Sequence, residues 1–313
     1  MSESPSLFTP KNQSWITLIG PDAEDFLHRL SSVNTRALDP GRGTPGCFLT
    51  AQGKLRAFFH LWRLSDQEFA FEVDAGNDGR WKSSLLAAID QYTFAEKMTL
   101  QESELKSTWI FPAVNATKDF IASTTSETST AGTLTSSAGI QICQHGTRDY
   151  GRAWISAWGE EAALKTWIAK NFAGAQPLEE STLERWRIEN TRPRLDAELD
   201  EEINPLEAGL PDAISEQKGC YPGQEVIEKI LALGSPARRL IQIQGEGPAP
   251  LTKTPVYNLA EPPAALGEIT SATALPDGKF LALALVRKIH AKEGVGVTIG
   301  SQRAQVKAVA PYV

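Results

Sequence analysis

Residues 218–225 read Lys218-Gly219-Cys220-Tyr221-Pro222-Gly223-Gln224-Glu225. Pro222-Gly223 takes the two central positions of a type II turn, whose second residue needs a positive φ. Glycine supplies that φ without strain. Behind the turn, Val226, Ile227, Ile230 and Leu231 recur at helical spacing, so a helix runs over 224–233. Cys220 therefore stands just ahead of a helix N-terminus with Lys218 two residues away, and both features favour a reactive thiol. Against this stands a buried, inert turn cysteine, and the residues by themselves leave both readings open.

Upstream, Ser181 to Asn190 is helical, with Ser181 and Glu184 spaced as a capping box and Pro193 bounding the segment. A second helix is expected around Glu160 to Phe172. The start of the chain reads strand, turn, helix. Trp15 to Ile19 alternates, Gly20-Pro21 breaks it, and Asp22 caps a helix with Ala23, Phe26, Leu27 and Leu30 on one face. β-rich stretches follow, with Phe69, Phe71 and Val73 alternating with smaller or charged residues. A helix over 80–92 rests on Trp81, Leu85, Ala88, Ile89 and Tyr92. From Ser123 to Ser137 the Ser/Thr-rich run predicts a mobile loop or an exposed edge hairpin. Downstream of Gly234-Ser235-Pro236 the pattern is almost purely β. Ile241 and Ile243 alternate, Pro276-Asp277-Gly278 turns the chain, and Leu281, Leu283 and Leu285 alternate with alanines. Short strands with regular turn signals predict a small β-barrel over 235–313.

The chain has 313 residues, 41% hydrophobic and 22% charged. That suits a globular protein of about two domains at roughly 150 residues each. No apolar run is long enough to span a membrane, and the acidic-containing start is neither a secretory signal nor a transit peptide. Three widely separated cysteines argue against a disulfide framework and for a reducing cytoplasm. The net charge of −7 is not that of a general nucleic-acid binder.

Gly41-Arg42-Gly43-Thr44-Pro45-Gly46 matches G-x-G-x-x-G, but a dinucleotide site needs a strand before it and a helix after it. Here a β-like run follows, so the stretch is a turn-rich connector. His28, His60, His145 and His290 show no metal-ligand spacing, and isolated cysteines do not build a cluster, so no stable metal is expected. The tryptophans are read first as core residues, although a flat heterocycle could stack on one.

The eight-residue stretch resembles the signature of the YgfZ-type folate-binding proteins, relatives of the aminomethyltransferase (T-protein) of the glycine cleavage system. Gly20-Pro21-Asp22-Ala23 with Phe26-Leu27, Gln52-Gly53-Lys54, Arg187-Ile188-Glu189, Asn204 to Leu210 (N-P-L-E-A-G-L) and Gly267 to Ser271 (G-E-I-T-S) are similar to further family segments in the same order. The resemblance implies an α+β fold, a cloverleaf of lobes around a central folate-sized channel, with a C-terminal antiparallel barrel. It implies residues 1–234 as the folate-binding region, with roughly 49–112 as its second lobe, and 235–313 as the barrel. It also implies tetrahydrofolate as ligand and a role in assembling or repairing iron–sulfur enzymes, including radical enzymes that modify transfer RNA.

The aminomethyltransferase pattern places aspartates just after the glycine corresponding to Gly53, whereas here Lys54 to His60 contains no carboxylate. Aminomethyl transfer is therefore not expected, because a carboxylate near the folate amine is what would assist it. On this reading Cys220 is the functional thiol, and Glu189, Arg187 and Lys218 contact the folate. Gly219, Tyr221, Gly223, Gln224 and Glu225 support the motif. The expected partners are folate and iron–sulfur proteins or cluster-assembly factors, with no nucleic acid, no membrane and a monomeric chain. The competing reading is a folate-dependent one-carbon transferase or demethylating enzyme.

Overall fold

A computed structural model describes residues 4–112, 132–146, 149–216 and 218–312. The fold is mixed α+β, built on three sheets. The N-terminal strand β1 (Ser6–Phe8) lies apart from the first sheet, whose strands are β2 (Gln13–Ile19), β3 (Arg42–Leu49), β4 (Leu55–Ser65), β5 (Glu68–Asp74) and β6 (Thr99–Ser103). They run antiparallel in the order β3-β4-β5-β2-β6. Two helices, α1 (Ala23–Leu30) and α2 (Arg80–Tyr92), cover one face. That face buries Phe26, Leu27, Phe69, Phe71, Val73, Leu85 and Ile89, the residues whose alternation and helical spacing predicted the elements.

The second sheet comprises β1, β7 (Lys106–Phe111), β8 (Leu134–Ser137), β9 (Ile140–His145), β10 (Trp154–Gly159) and β11 (Gln176–Pro177), in the order β11-β1-β7-β10-β9-β8. Here β8 is the edge strand, at the end of the predicted Ser/Thr-rich segment. Residues 123–131 of that segment lie outside the described residues. The other face of the first sheet meets this second sheet through Trp15, Trp62, Ala70, Cys143 and Trp158. Trp15 and Trp158 stack at 4.4 Å between ring centroids. Three helices follow: α3 (Glu161–Asn171), α4 (Glu180–Glu189) and α5 (Gln224–Ala232).

Two predicted caps are corrected. Asp22 precedes α1, but its carboxylate accepts the Lys97 N–H at 2.7 Å instead of capping the helix. In α4 Glu179 is the capping position, so Ser181 lies inside the first turn, and Glu184 is taken by Arg187 rather than closing a capping box. The G-x-G-x-x-G stretch is not a turn-rich connector: after the turn at Gly41, residues 42–46 already form part of strand β3, and no helix opens on them.

The last six strands close into a barrel: β12 (Arg238–Glu246), β13 (Pro255–Asn258), β14 (Ala265–Ala274), β15 (Lys279–Arg287), β16 (Gly296–Ile299) and β17 (Gln302–Val309). In β15 the small residues point inward. Ala282 and Ala284 fill the barrel core with Phe280 and Val286, while Leu281 and Leu283 turn outward onto Ile188 of α4. The barrel is thereby docked on the helix that carries the Arg187-Ile188-Glu189 segment.

Candidate functional site

The motif segments converge in space. Gly53 closes the β3–β4 connection with φ +69°, and Gly223 precedes α5 with φ +83°. The two glycines abut: a Cβ on Gly223 would lie 2.5 Å from the Thr50 carbonyl oxygen and 3.0 Å from Gly53 Cα. A Cβ on Gly53 would lie 2.9 Å from Val226 of α5. Asn204 Nδ2 donates to the Gly53 carbonyl at 2.8 Å, and Lys54 Nζ donates to the Glu202 carbonyl at 2.7 Å. Three motifs far apart in sequence thus form one knot in which only glycine fits at two positions.

The turn ahead of α5 is the expected one, closed by Gln224 N–H on the Tyr221 carbonyl. Tyr221 is buried and Cys220 exposed. Lys218 donates to the carbonyls of His28, at 2.7 Å, and Ser31 at the end of α1. Its ammonium also sits 4.6 Å from the centre of the Tyr221 ring. Burial pulls it down to about 7. Lys218 thus ties the motif to α1, and it lines neither of the cavities described below. Gly219 lies against His28, Gln224 bonds Glu228 at 2.6 Å, and Glu225 is exposed in the first turn of α5.

Arg187 is buried and fully engaged. It forms a forked pair with Glu184 (2.8 and 2.6 Å), reaches Glu198 at 3.0 Å, and donates to Ser271 Oγ at 2.8 Å. Ser271 donates in turn to Glu198 at 2.6 Å. This network joins the Arg187-Ile188-Glu189 and Gly267–Ser271 segments across the helix–barrel junction. Glu189 lies on the outer side of α4, 3.8 Å from Arg185, and lines neither cavity. The α4 residues that face the cavities are Glu180, Ser181, Leu183, Glu184 and Arg187.

Two adjoining cavities of about 430 Å³ each open between the sheets and α4. They share Gln13, Asp74, Trp109, Tyr150, Arg187 and Arg194. The second adds His60, Glu72, His145 and Trp154. Sequence separation hid this grouping: His60 and His145 come to 6.3 Å between ring centroids, and His145 stacks on Trp154 at 3.8 Å. Burial holds both histidines neutral, down to about 3. Glu72 pairs with His60 in register across β4 and β5. Its carboxyl accepts from Trp62 Nε1 at 3.1 Å and from Gln13 Nε2, and burial lifts it to about 7. Desolvation also raises Asp74. The wall after Gly53 supplies Phe58, Phe59 and His60 but no carboxylate; the acids come from Asp149 and Asp212, and from Glu72 and Asp74 of β5. The alternation around Phe69, Phe71 and Val73 did signal the β5 pair, since it sets Glu72 and Asp74 on the face away from the helices.

Several buried polar atoms in this wall have no partner among the described residues: Trp109 Nε1, Trp154 Nε1, His60 Nε2 and Gln13 Oε1. A buried unpaired polar group costs roughly 1–3 kcal/mol, so their clustering at one cavity marks a ligand site. An aromatic wall set among polar and charged side chains suits a flat, polar-edged heterocycle. Among the described residues no group of three or more His, Cys, Asp or Glu side chains is placed to hold a metal, and no helix is long and apolar enough to cross a membrane.

The fold is that of the glycine cleavage aminomethyltransferases. The crystal structure of aminomethyltransferase T of the glycine cleavage system from Bartonella henselae superposes over 99% of this chain and 86% of its own, with a TM-score of 0.83 at 17% identity. In sequence, the chain is 26% identical to an Arabidopsis thaliana protein named "Putative transferase At1g60990, chloroplastic", over 95% of this chain and 69% of that one. It is 33% identical to an aminomethyltransferase of Bacillus cytotoxicus over 48% of this chain and 42% of that one. No family model matches the chain.

Proposed function

We propose that this chain is a tetrahydrofolate-binding accessory protein for the assembly or repair of iron–sulfur enzymes, including radical enzymes that modify transfer RNA, with Cys220 as its working thiol. One observation carries the choice. The fold keeps a ligand-sized cavity, while the strand after Gly53 offers Arg56, Ala57 and Phe58 where the aminomethyltransferase pattern has aspartates. The folate part is supported by the aromatic wall and its unpartnered polar atoms. The cluster-related part is supported by the resemblance of residues 218–225 and by the exposure of Cys220, a soft thiol accessible to a partner. On this reading the protein works as a monomer in the cytoplasm, holds no stable metal, and meets iron–sulfur proteins or assembly factors rather than nucleic acid or membrane. Arg187 orders the cavity wall, while Glu189 and Lys218 line neither cavity.

A specific observation favours the alternative, a folate-dependent one-carbon transferase: Glu72 and Asp74 put carboxyl groups back into the cavity wall. A turnover assay with tetrahydrofolate and an aminomethyl or N-methyl donor separates the two readings. Calorimetric titration with tetrahydrofolate tests the shared premise, with Glu189→Ala and Trp109→Phe run in parallel. Parent protein is expected to bind. Trp109→Phe should lose more affinity than Glu189→Ala, because Trp109 lines both cavities and Glu189 neither. Absence of binding by the parent protein overturns the folate reading. Cys220→Ser is expected to fold normally, bind folate, and fail to support iron–sulfur enzymes in cells. Full support at normal protein level would remove the thiol from the proposal.

A further inference from the structure

We infer that Gln13 is the residue that reads the bound heterocycle where the two cavities meet, and that ionised Glu72 sets it to accept a hydrogen bond from a ring or amino N–H. The inference rests on the folate reading only for the identity of the ligand. It starts from strand register. On β2 and β5, Gln13 stands opposite Asp74, and Trp15 opposite Glu72. Gln13 lines both cavities, and its amide nitrogen donates to Glu72 Oε1. The second Glu72 oxygen is taken by Trp62 Nε1. Among the described residues no lysine or arginine forms an ion pair with Glu72. The titratable groups around it are His60 on β4, Cys143 on β9 and Asp74 on its own strand, with His145 beyond His60. None of these is a cation, because burial keeps both histidines neutral.

An ionised carboxylate admits only one orientation of the neighbouring amide. The N–H must face it, since the amide oxygen would meet like charge. Gln13 Oε1 is then turned away from Glu72, and it is buried with no partner among the described residues. Trp109 Nε1, on the wall of the same two cavities, is a buried donor in the same condition. One acceptor and one donor on a shared wall match a heterocycle edge that carries an N–H beside a carbonyl or ring nitrogen, as a lactam or amidine does. A carboxylic acid at position 72 reverses the Gln13 half of this arrangement. Its O–H donates to the amide oxygen, the amide turns, and an N–H is presented to the ligand's own N–H. Binding is therefore linked to deprotonation of Glu72, whose proton leaves to solvent as the ligand enters. Because burial lifts Glu72 to about 7, the linkage falls in the neutral range.

The test has a ligand-free arm and a ligand arm. In the ligand-free protein, the Glu72 carboxyl carbon and the Gln13 side-chain amide are followed by NMR across pH, assigned by their loss in Glu72→Gln and Gln13→Leu. Both signals should shift with one midpoint near neutrality, and the Gln13 shift should vanish in Glu72→Gln. A Gln13 amide that does not respond to Glu72 titration overturns the inference, whatever the ligand. In the second arm, calorimetry with 5-formyltetrahydrofolate should show about tenfold tighter binding at about pH 8 than at about pH 6, the ratio of ionised fractions around a midpoint near 7. Glu72→Gln should give a flat profile. A flat profile in the parent protein overturns the inference while leaving folate binding intact. No binding at any pH removes the folate reading, and the NMR arm still decides whether Glu72 sets Gln13.

Discussion

Cys47 and Cys143 are fully buried, and burial pushes both thiols up, Cys47 with a further push from Asp212. Cys220 is exposed. Alkylation needs a thiolate the reagent can reach. With iodoacetamide at neutral pH, Cys220 should therefore be modified first, and Cys47 and Cys143 only after unfolding. Peptide mapping that finds either buried cysteine labelled as fast as Cys220 would contradict the structure around them. At this scale the sequence was informative where the signal was local. The turn at Pro222-Gly223 and the position of Cys220 ahead of α5 could both be read from adjacent residues. It was silent where the partner is remote. The sequence offers Lys218 as a cation for the Cys220 thiol and the folate, yet it is spent on carbonyls at the end of α1. The sequence offers Arg187 as a folate contact without showing its own partners; it lies buried between Glu184, Glu198 and Ser271.

The contact between the β3–β4 connection and the start of α5 is set by two glycines that no local pattern links. Pro222-Gly223 announced a turn, but nothing in it or in Gln52-Gly53-Lys54 announced that the two segments touch. The positive φ of Gly223 and the closeness of Thr50 and Gly53 make its substitution doubly unfavourable. Gly223→Ala must adopt a left-handed conformation at about 1 kcal/mol or more, and must also push back backbone rather than a flexible side chain. We expect a loss of about 2–4 kcal/mol in denaturant unfolding, well beyond the usual cost of a surface glycine replacement. Gly278, in the Pro276-Asp277-Gly278 turn, also has a positive φ, but a Cβ added there would meet no atom within 4 Å. Gly278→Ala is the control, since it carries the conformational cost alone. Equal losses in the two variants would show that the contact with Gly53 contributes nothing. The same limit applies to β15. Alternation identified the strand, but alternation is symmetric, and only the docked α4 decides that leucines face outward and alanines inward.

At the scale of the whole molecule, the barrel and the first sheet were legible because their strands are short, regular and close in sequence. The cavity was not, because Gln13, Glu72, Trp109 and His145 come from four strands in two sheets. That cavity gives the folded chain a distinctive pH response. His60 and His145 are lowered from 6.5 to about 3, so between these values the folded state binds fewer protons than the unfolded chain. Their contribution is complete above 6.5 and is lost as pH falls toward 3. Glu72 is raised from 4.5 to about 7, so in that window the folded state binds more protons. Its contribution is complete below 4.5 and is lost as pH rises through 7. Between 4.5 and 6.5 the two effects oppose, and two histidines outweigh one carboxyl; near 7 they cancel, and Lys218, pulled by burial from 10.5 to about 7, adds stability as pH rises further. From these groups, stability should climb from acid pH through pH 8, most steeply at the acid end and least steeply near 7. Denaturant unfolding across this range checks the shape. His145→Gln should flatten the acid limb, and Glu72→Gln should steepen the climb between pH 4.5 and 7. Parent and Glu72→Gln curves that run parallel between pH 4.5 and 7 would mean that Glu72 is already ionised in the folded protein.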